Sequence, residues 1–193
     1  MLKQFNPAIR ITLFFTILTG IIYPGVVTGL CQLLFGDKAN GSLVSVNGQV
    51  VGSSLIGQNF AKPGYFQPRP SAAGNDGYDP TSSGGSNYGP MNQKLIDRVK
   101  ASVDKFRKEN PDYTGPIPSD LVSTSASGLD PDLSPAAVEA QAARIARARG
   151  VALKKVNELI AGHIQERQLG FLGEPRVNVL ELNLALDREF PRK

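Results

Sequence analysis

Few side chains in this sequence have types and spacing suited to catalysis. The one histidine, His163, would have to act as general base for a serine such as Ser71 if the chain were a hydrolase. No orienting carboxylate occurs at a supporting spacing, and a lone histidine near a helix end is more often structural. Metal-ligand patterns such as C-x-x-C and H-E-x-x-H do not occur. We therefore predict a chain without catalytic residues or a bound metal.

Two glycine-containing segments have some of the features of phosphate-binding loops. Residues 36–41 have the glycine spacing of a P-loop, but Ser42-Leu43 stands where Lys-Ser/Thr would hold phosphate and metal. The segment Ser83-Gly84-Gly85-Ser86 could present backbone N–H groups to an anion, although such a segment is more often a turn. Neither segment alone predicts a nucleotide site.

The element on which everything else depends is an apolar run over residues 11–35. It contains no charged side chain, and its 25 residues would extend roughly 37 Å as a helix. A bilayer core is about 30 Å thick, so the run predicts a transmembrane helix. A cleaved signal peptide and a buried helix of a soluble protein are the alternatives. The run exceeds the usual apolar region of a signal peptide, and no A-x-A-like cleavage site follows it.

Charges beside this run predict its orientation. Lys3 and Arg10 precede it, so the positive-inside rule places residues 1–10 in the cytoplasm as a tail. Residues 36–193 would then form one extracytoplasmic domain. That domain contains no disulfide, because the only cysteine, Cys31, lies within the run. The net charge of +4 is too small and dispersed to predict nucleic-acid binding.

The apolar run contains small and hydroxylated residues that favour packing against another membrane helix. A G-x-x-x-G pattern lets two helices approach closely, and three threonines share one helical face. The alternative is an ordinary anchor in which these residues occur by chance. Pro24 predicts a kink, since proline removes a backbone donor. The candidate packing residues are Thr12, Thr16, Thr19, Gly25 and Gly29.

The outer segment begins with β-structure and a long irregular loop. Residues 43–51 predict a β-hairpin, because Asn47-Gly48 suits a type I′ turn. Residues 55–60 could add a strand. Residues 62–90 have the Gly, Pro and Ser content of a disordered linker. Their tyrosines and phenylalanine favour instead an ordered loop that buries aromatic rings.

Helices then predominate, which makes the predicted fold α+β. An apolar stripe at helical spacing predicts a helix from about residue 91 until Asn110-Pro111. Ser134 followed by Pro135 predicts the start of a helix that continues to Arg149. Another helix is expected over 151–163. Residues 177–190 alternate too closely to separate helix from strand, and we assign them to helix.

Five segments occur in a fixed order along the chain: FQPRPSA at 66–72, YDPTSSGGSNYGP at 78–90, SGLDP at 127–131, ARARG at 146–150 and GEPRVNVLELN at 173–183. In this order, behind one N-terminal membrane helix, they resemble the KdpC family, the C subunits of bacterial Kdp potassium-transporting ATPases. The resemblance covers essentially the whole chain. One departure is Asp132-Leu133, where the family pattern leads us to expect a His-Ile-like pair.

The resemblance implies an accessory subunit in the bacterial inner membrane, with its large domain in the periplasm. Its partners would be a channel-like potassium-translocating subunit and a P-type subunit that hydrolyses ATP. Those partners, not this chain, would bind K+ and ATP. The resemblance also implies a role in assembly and a chaperone-like increase in the ATP affinity of the catalytic subunit.

The implied effect on ATP affinity conflicts with the predicted topology, because ATP is cytoplasmic and the domain would lie outside. We therefore expect that effect to act indirectly, through the partners. Two hypotheses stay open: the domain braces the complex and covers the channel mouth, or its loop over 69–87 binds nucleotide. A membrane-tethered extracytoplasmic hydrolase or binding protein is the alternative class. The candidate partner-contact residues are Arg69, Ser71, Ser83, Gly84, Gly85 and Asn87.

Overall fold

The structure is a computed structural model that describes residues 2–191. Met1, Arg192 and Lys193, which belong to the predicted tail and outer domain, lie outside the described residues. The chain divides into two compact units, Met1–Val51 and Gly52–Lys193. The described structure is α+β, with helix predominating over two two-stranded sheets, as the sequence predicts.

The first unit is mainly one long helix. Helix α1 (Leu2–Ile17), a π-helical turn (Leu18–Ile22) and α2 (Tyr23–Leu34) follow one another without a break. Lys3–Leu34 is the one helix among the described residues that is long and apolar enough to span a membrane, and it is 0% buried. The π-helical turn ends two residues before Pro24, where the sequence predicts a kink. A short helix α3 (Gly36–Ala39) follows.

The predicted hairpin is confirmed. Strands β1 (Leu43–Val46) and β2 (Gln49–Ser53) form a two-stranded sheet, and the boundary between the units falls within β2. Asn47 and Gly48 connect the strands with φ angles of 52° and 79°, the positive values that a type I′ turn requires.

The predicted strand over residues 55–60 is wrong. The Ile56 N–H donates to Ser53 O, which turns the chain directly after β2. Gly57 N–H then donates to Leu129 O, so this segment pairs with a distant loop and not with a strand. Leu55 is exposed.

Helix α4 (Gln93–Glu109) agrees closely with the prediction. Asn92 caps it by accepting a hydrogen bond from Lys94 N–H, and the helix ends before Pro111. Its apolar stripe is buried at one end only, because Phe106 joins the core whereas Met91, just before the helix, is 90% exposed.

The helix predicted over 134–149 is in fact two helices, α5 (Pro135–Glu139) and α6 (Ala142–Arg149). Ser134 caps α5 as expected, accepting from Ala137 N–H at 3.2 Å. The break falls at Gln141, whose N–H donates to Val138 O, three residues back. Helix α7 (Leu153–Ala161) lies inside the predicted range.

The last predicted helix is confirmed as α8 (Val179–Glu189). The two residues directly before α8 form strand β4 (Val177–Asn178), which pairs antiparallel with β3 (Asp132–Leu133). Asn178 then caps α8 by accepting from Glu181 N–H at 3.1 Å. A single core cluster packs α5 to α8 together, with fully buried side chains that include Val138, Ile145, Val156, Leu182 and Leu186.

Candidate partner-binding surface

Residues 62–90, here called the motif loop, contain two of the five resembling segments and almost no regular structure. The prediction of an ordered loop that buries its aromatic rings is confirmed for Phe66, which is 0% exposed, but not for Tyr88, which is 38% exposed. Backbone N–H and C=O groups without strand or helix partners must be satisfied in another way when buried. In this loop they are satisfied by polar side chains from the helices of the same unit.

Arg144 of α6 makes the largest set of these contacts. Its Nη1 donates to Tyr65 O at 3.0 Å and also to Pro63 O. Its Nε donates to Asn110 Oδ1 at 3.0 Å, and its Nη2 donates to Gln141 Oε1 at 2.6 Å. Burial lowers the pKa of Arg144 to about 10, which leaves the guanidinium charged at neutral pH.

Two side-chain amides bind consecutive residues of the motif loop. Phe66 N–H donates to Asn183 Oδ1, and Asn183 Nδ2 donates to Phe66 O, both at 2.9 Å. Gln67 N–H donates to Gln141 Oε1 at 2.8 Å, and Gln141 Nε2 donates to Gln67 O at 3.1 Å. Each amide thus satisfies one donor and one acceptor, as a neighbouring strand would.

Tyr65 is held by an ion pair at the ends of α6 and α8. Arg149 Nη2 lies 2.8 Å from Asp187 Oδ1, and Tyr65 OH donates to Asp187 Oδ2 at 2.7 Å. The Arg149 guanidinium also lies 4.9 Å from the centre of the Tyr65 ring, within the range of a cation–π contact.

Arg69 and Ser71, two of the predicted contact residues, are bonded inside the unit. Arg69 Nη1 lies 2.8 Å from Asp130 Oδ2, and both side chains are less than one third exposed. Ser71 Oγ donates to Gly128 O at 2.6 Å and accepts from Tyr78 N–H at 2.8 Å. Burial, reinforced by the charge of Asp130, raises the pKa of Tyr78, so its hydroxyl stays protonated and donates to Arg69 O.

The Ser83-Gly84-Gly85 segment lies against residues 125–128. Gly84 N–H donates to Ser127 O at 2.8 Å, and Ser83 Oγ donates to the same carbonyl at 3.0 Å. A Cβ on Gly85 would lie 3.0 Å from Ala126 O. The Gly84 N–H therefore serves a contact within the unit and is not presented to an anion.

One exposed surface of this unit lies where the motif loop ends and α4 begins. Asn87 is exposed and holds a φ of 52°, and Tyr88 is 38% exposed. Met91 and Ile96 follow at 90% and 48% exposure. We call Asn87, Tyr88, Met91 and Ile96 the loop–α4 patch. It combines apolar side chains with a turn of unusual backbone conformation.

A cavity of about 220 Å³ lies between the motif loop and α4. Arg69, Ser71 and Tyr78 line it on the loop side, and Phe106 and Glu109 line it on the helix side. Arg69, Ser71 and Tyr78 already make the hydrogen bonds described above. The loop side of the cavity is therefore formed by the part of the motif loop that the rest of the unit holds in place.

The structure does not bring together the residues of the hydrolase alternative. Ser71 Oγ is bonded to Gly128 O, whereas His163, two residues after the end of α7, has its Nδ1 2.8 Å from Leu159 O. His163 borders a separate cavity near Glu189. Across residues 2–191, no group of three or more His, Cys, Asp or Glu side chains is placed to hold a metal ion.

Sequence reasoning missed the residues that hold the motif loop, namely Gln141, Arg144, Asn183 and Asp187. One signal was present: Gln141 and Arg144 interrupt the apolar spacing between Val138 and Ile145, on a face that must be buried. A polar residue at such a position needs a partner, but the pattern does not say which one.

These features define a class: a helix-rich α+β protein whose N-terminal helix is suited to span a membrane. A family model described as "K+-transporting ATPase, c chain" (KdpC) matches residues 5–188. A potassium-transporting ATPase KdpC subunit from Myxococcus xanthus is 56% identical, over 98% of this chain and 90% of the relative. One from Koribacter versatilis is 53% identical, over 99% and 97%. The chain therefore belongs to the KdpC family.

Proposed function

We propose that this chain is an accessory subunit of a potassium-transporting ATPase complex and binds its partners without performing catalysis. The supporting observation is that the segments resembling the KdpC family bond to other residues of the same unit. Arg69, Ser71 and Gly84 form bonds within the unit, so these segments build a surface and not a cleft with free reactive groups. The relatives that match nearly the full chain are named as subunits of such an ATPase.

The proposed complex is membrane-embedded, and this chain enters it through the helix Lys3–Leu34. Residues 1–10 lie in the cytoplasm, residues 11–35 cross the inner membrane, and residues 36–193 lie in the periplasm. Lys3 and Arg10 before the apolar run support this orientation. A periplasm-specific reporter fused after residue 193 should be active, and a cytoplasm-specific reporter at the same position should not. The reverse result would overturn the topology.

The outer domain has an assembly role in this proposal: it braces the channel-like and ATP-hydrolysing subunits. Removing residues 36–193 while keeping the helix should reduce co-purification of the complex and its potassium-stimulated ATPase activity. Normal assembly and normal potassium affinity in that truncated chain would contradict the role.

We place the partner contact of the domain at the loop–α4 patch, since its apolar side chains are uncovered. Met91→Asp should weaken co-purification of the partners by about tenfold, because it places a charge in an apolar contact. Leu153→Asp is the matched control, since Leu153 is also exposed, at 46%, but belongs to α7. Equal effects of the two substitutions would contradict the assignment.

Any effect of this subunit on ATP affinity is indirect in this proposal. The Ser83-Gly84-Gly85 segment supports that choice, because its Gly84 N–H is bonded to Ser127 O. A photoreactive ATP analogue added to the purified complex should label the ATP-hydrolysing subunit and leave this chain unlabelled. Labelling of this chain within residues 69–87 would instead support the nucleotide-binding hypothesis.

A further inference from the structure

The π-helical turn Leu18–Ile22 changes which backbone groups are bonded in the long N-terminal helix. Tyr23 N–H donates to Leu18 O, five residues back, and so leaves the carbonyl four residues back without its usual donor. The next residue, Pro24, has no N–H to donate. Two successive positions therefore fail to supply the donors that a regular helix would.

Few backbone donors remain for the carbonyls of the π-helical turn. Helix α2 has Ile22 as its N-cap, and the carbonyl of an N-cap residue accepts the first bond of the helix that follows. Gly25 N–H is then the one backbone donor left for the carbonyls of Thr19, Gly20 and Ile21 within the described helix. At least two of those three carbonyls consequently lack a donor of their own.

These carbonyls lie where water cannot replace the missing donors. Counted from Ile11, they are about 12–15 Å along the apolar run, close to the middle of a bilayer core of about 30 Å. An unbonded backbone carbonyl at that depth is costly, so membrane helices with a proline recover such bonds from hydroxyl side chains, water or neighbouring helices. The nearest hydroxyl is committed elsewhere, since Thr19 Oγ1 donates to Phe15 O at 2.6 Å.

We propose that the freed carbonyls at Thr19–Ile21 accept hydrogen bonds from a hydroxyl or amide side chain on a transmembrane helix of another subunit. The inference rests on the proposed function, which supplies a partner inside the membrane. Gly20 makes the approach easier, because a Cβ built there meets nothing within 4 Å in this chain. The partner must present a donor, such as Ser, Thr, Asn or Gln, and an entirely aliphatic helix would not satisfy these acceptors.

A proline pair tests the inference in the full chain. Pro24→Ala restores one backbone N–H, so one more of these carbonyls is satisfied within the helix and the partner donor loses an acceptor. Association with the other subunits in lipid, measured by energy transfer between labelled proteins, should weaken about three- to twentyfold. Pro7→Ala is the matched control, because Pro7 lies inside α1 but before the apolar run, and it should leave association unchanged. Wild-type affinity in Pro24→Ala would overturn the inference.

An infrared measurement separates a lost hydrogen bond from a changed helix shape. Isotope-labelled carbonyls at Thr19, Gly20 and Ile21, introduced together by semisynthesis, should give a band at lower frequency in the assembled complex than in the chain alone in the same lipid. An unchanged band would overturn the inference even if the proposed function holds. Failure of the wild-type chain to associate with the ATPase subunits at all would instead overturn the proposed function.

Discussion

Asn183 holds Phe66 by both polar groups of its backbone, with an N–H···Oδ1 bond and an Nδ2–H···O bond of 2.9 Å each. Both residues are buried, so neither backbone group of Phe66 has water as an alternative partner. The side chain of one residue in α8 thus takes the place of a neighbouring β-strand for the motif loop. The stability of this loop should therefore depend on a few polar side chains.

The first prediction concerns Asn183 itself. Asn183→Ala leaves the N–H and C=O of Phe66 without partners, which should lower the free energy of unfolding by about 2–4 kcal/mol. Urea unfolding of the full chain in detergent micelles, followed by circular dichroism, measures the change. Asn157→Ala is the control, since Asn157 is exposed on α7 and should shift the value by less than about 0.5 kcal/mol.

The second prediction concerns the fork geometry of Arg144. Arg144→Lys keeps the charge but cannot reach acceptors on Asn110, Gln141 and the motif loop at once, so the free energy of unfolding should fall by about 2–4 kcal/mol. The matched change Arg147→Lys, at a half-exposed pair with Asp112, should cost less than about 1 kcal/mol. If both variants lost less than about 1 kcal/mol, the motif loop would require only the positive charge of Arg144 and not the planar shape of its guanidinium.

The third prediction separates close contact from backbone conformation at two glycines. Gly128 and Gly150 have nearly equal φ angles, +68° and +66°. A Cβ on Gly128 would lie 2.6 Å from Gly84 O, whereas a Cβ on Gly150 meets nothing within 4 Å. Gly150→Ala should therefore cost only the conformational term of about 1–2 kcal/mol, and Gly128→Ala at least about 2 kcal/mol more. Equal thermal midpoints of the two variants would contradict this contact.

The fourth prediction is a pair of opposite pH dependences. Burial raises the pKa of Asp132, although the nearby charge of Arg176 lowers it in part. The contribution of Asp132 to stability is therefore largest when its carboxyl is protonated, below the unfolded pKa. That contribution falls as the pH rises through the folded pKa. Hydrogen bonds from Thr81 lower the pKa of Asp79, so its contribution is present above the unfolded pKa and is lost as pH falls through the folded pKa.

Unfolding at a series of pH values from about 3 to 7 checks both signs, because the unfolded pKa of an aspartate is about 3.9. Relative to wild type, Asp132→Asn should gain stability as pH rises through this range, and Asp79→Asn should lose it. A common slope for the two variants would rule out the assigned environments.

Local chemistry made several elements predictable from sequence. Asn47-Gly48 determined a hairpin turn because few residue pairs accept two positive φ angles. Ser134 marked a helix start because its side chain can accept a backbone N–H bond. In each case the information lies within four residues of the position that it determines.

The missed features depend on distant partners. Residues 55–60 have the composition of a strand, yet Gly57 pairs with Leu129, far along the chain. The helix predicted over 134–149 is interrupted at Gln141, whose side chain binds Gln67 of the motif loop. The candidate contact residues Arg69 and Ser71 were identified by type and position, but their partners, Asp130 and Gly128, required the fold.

The hydrogen bonds that hold the motif loop also set an order of events during protein synthesis. Phe66 and Asn183 are 117 residues apart, and Tyr65 and Asp187 are 122 apart. A bacterial ribosome adds about 5–20 residues per second, so roughly 6 to 25 seconds separate the translation of each loop residue from that of its partner. Throughout that interval the loop has no Asn183 or Asp187 to bind. Phe66, which the folded domain buries, is then available to chaperones and proteases, and the rate at which the intervening residues are translated sets the length of that exposure.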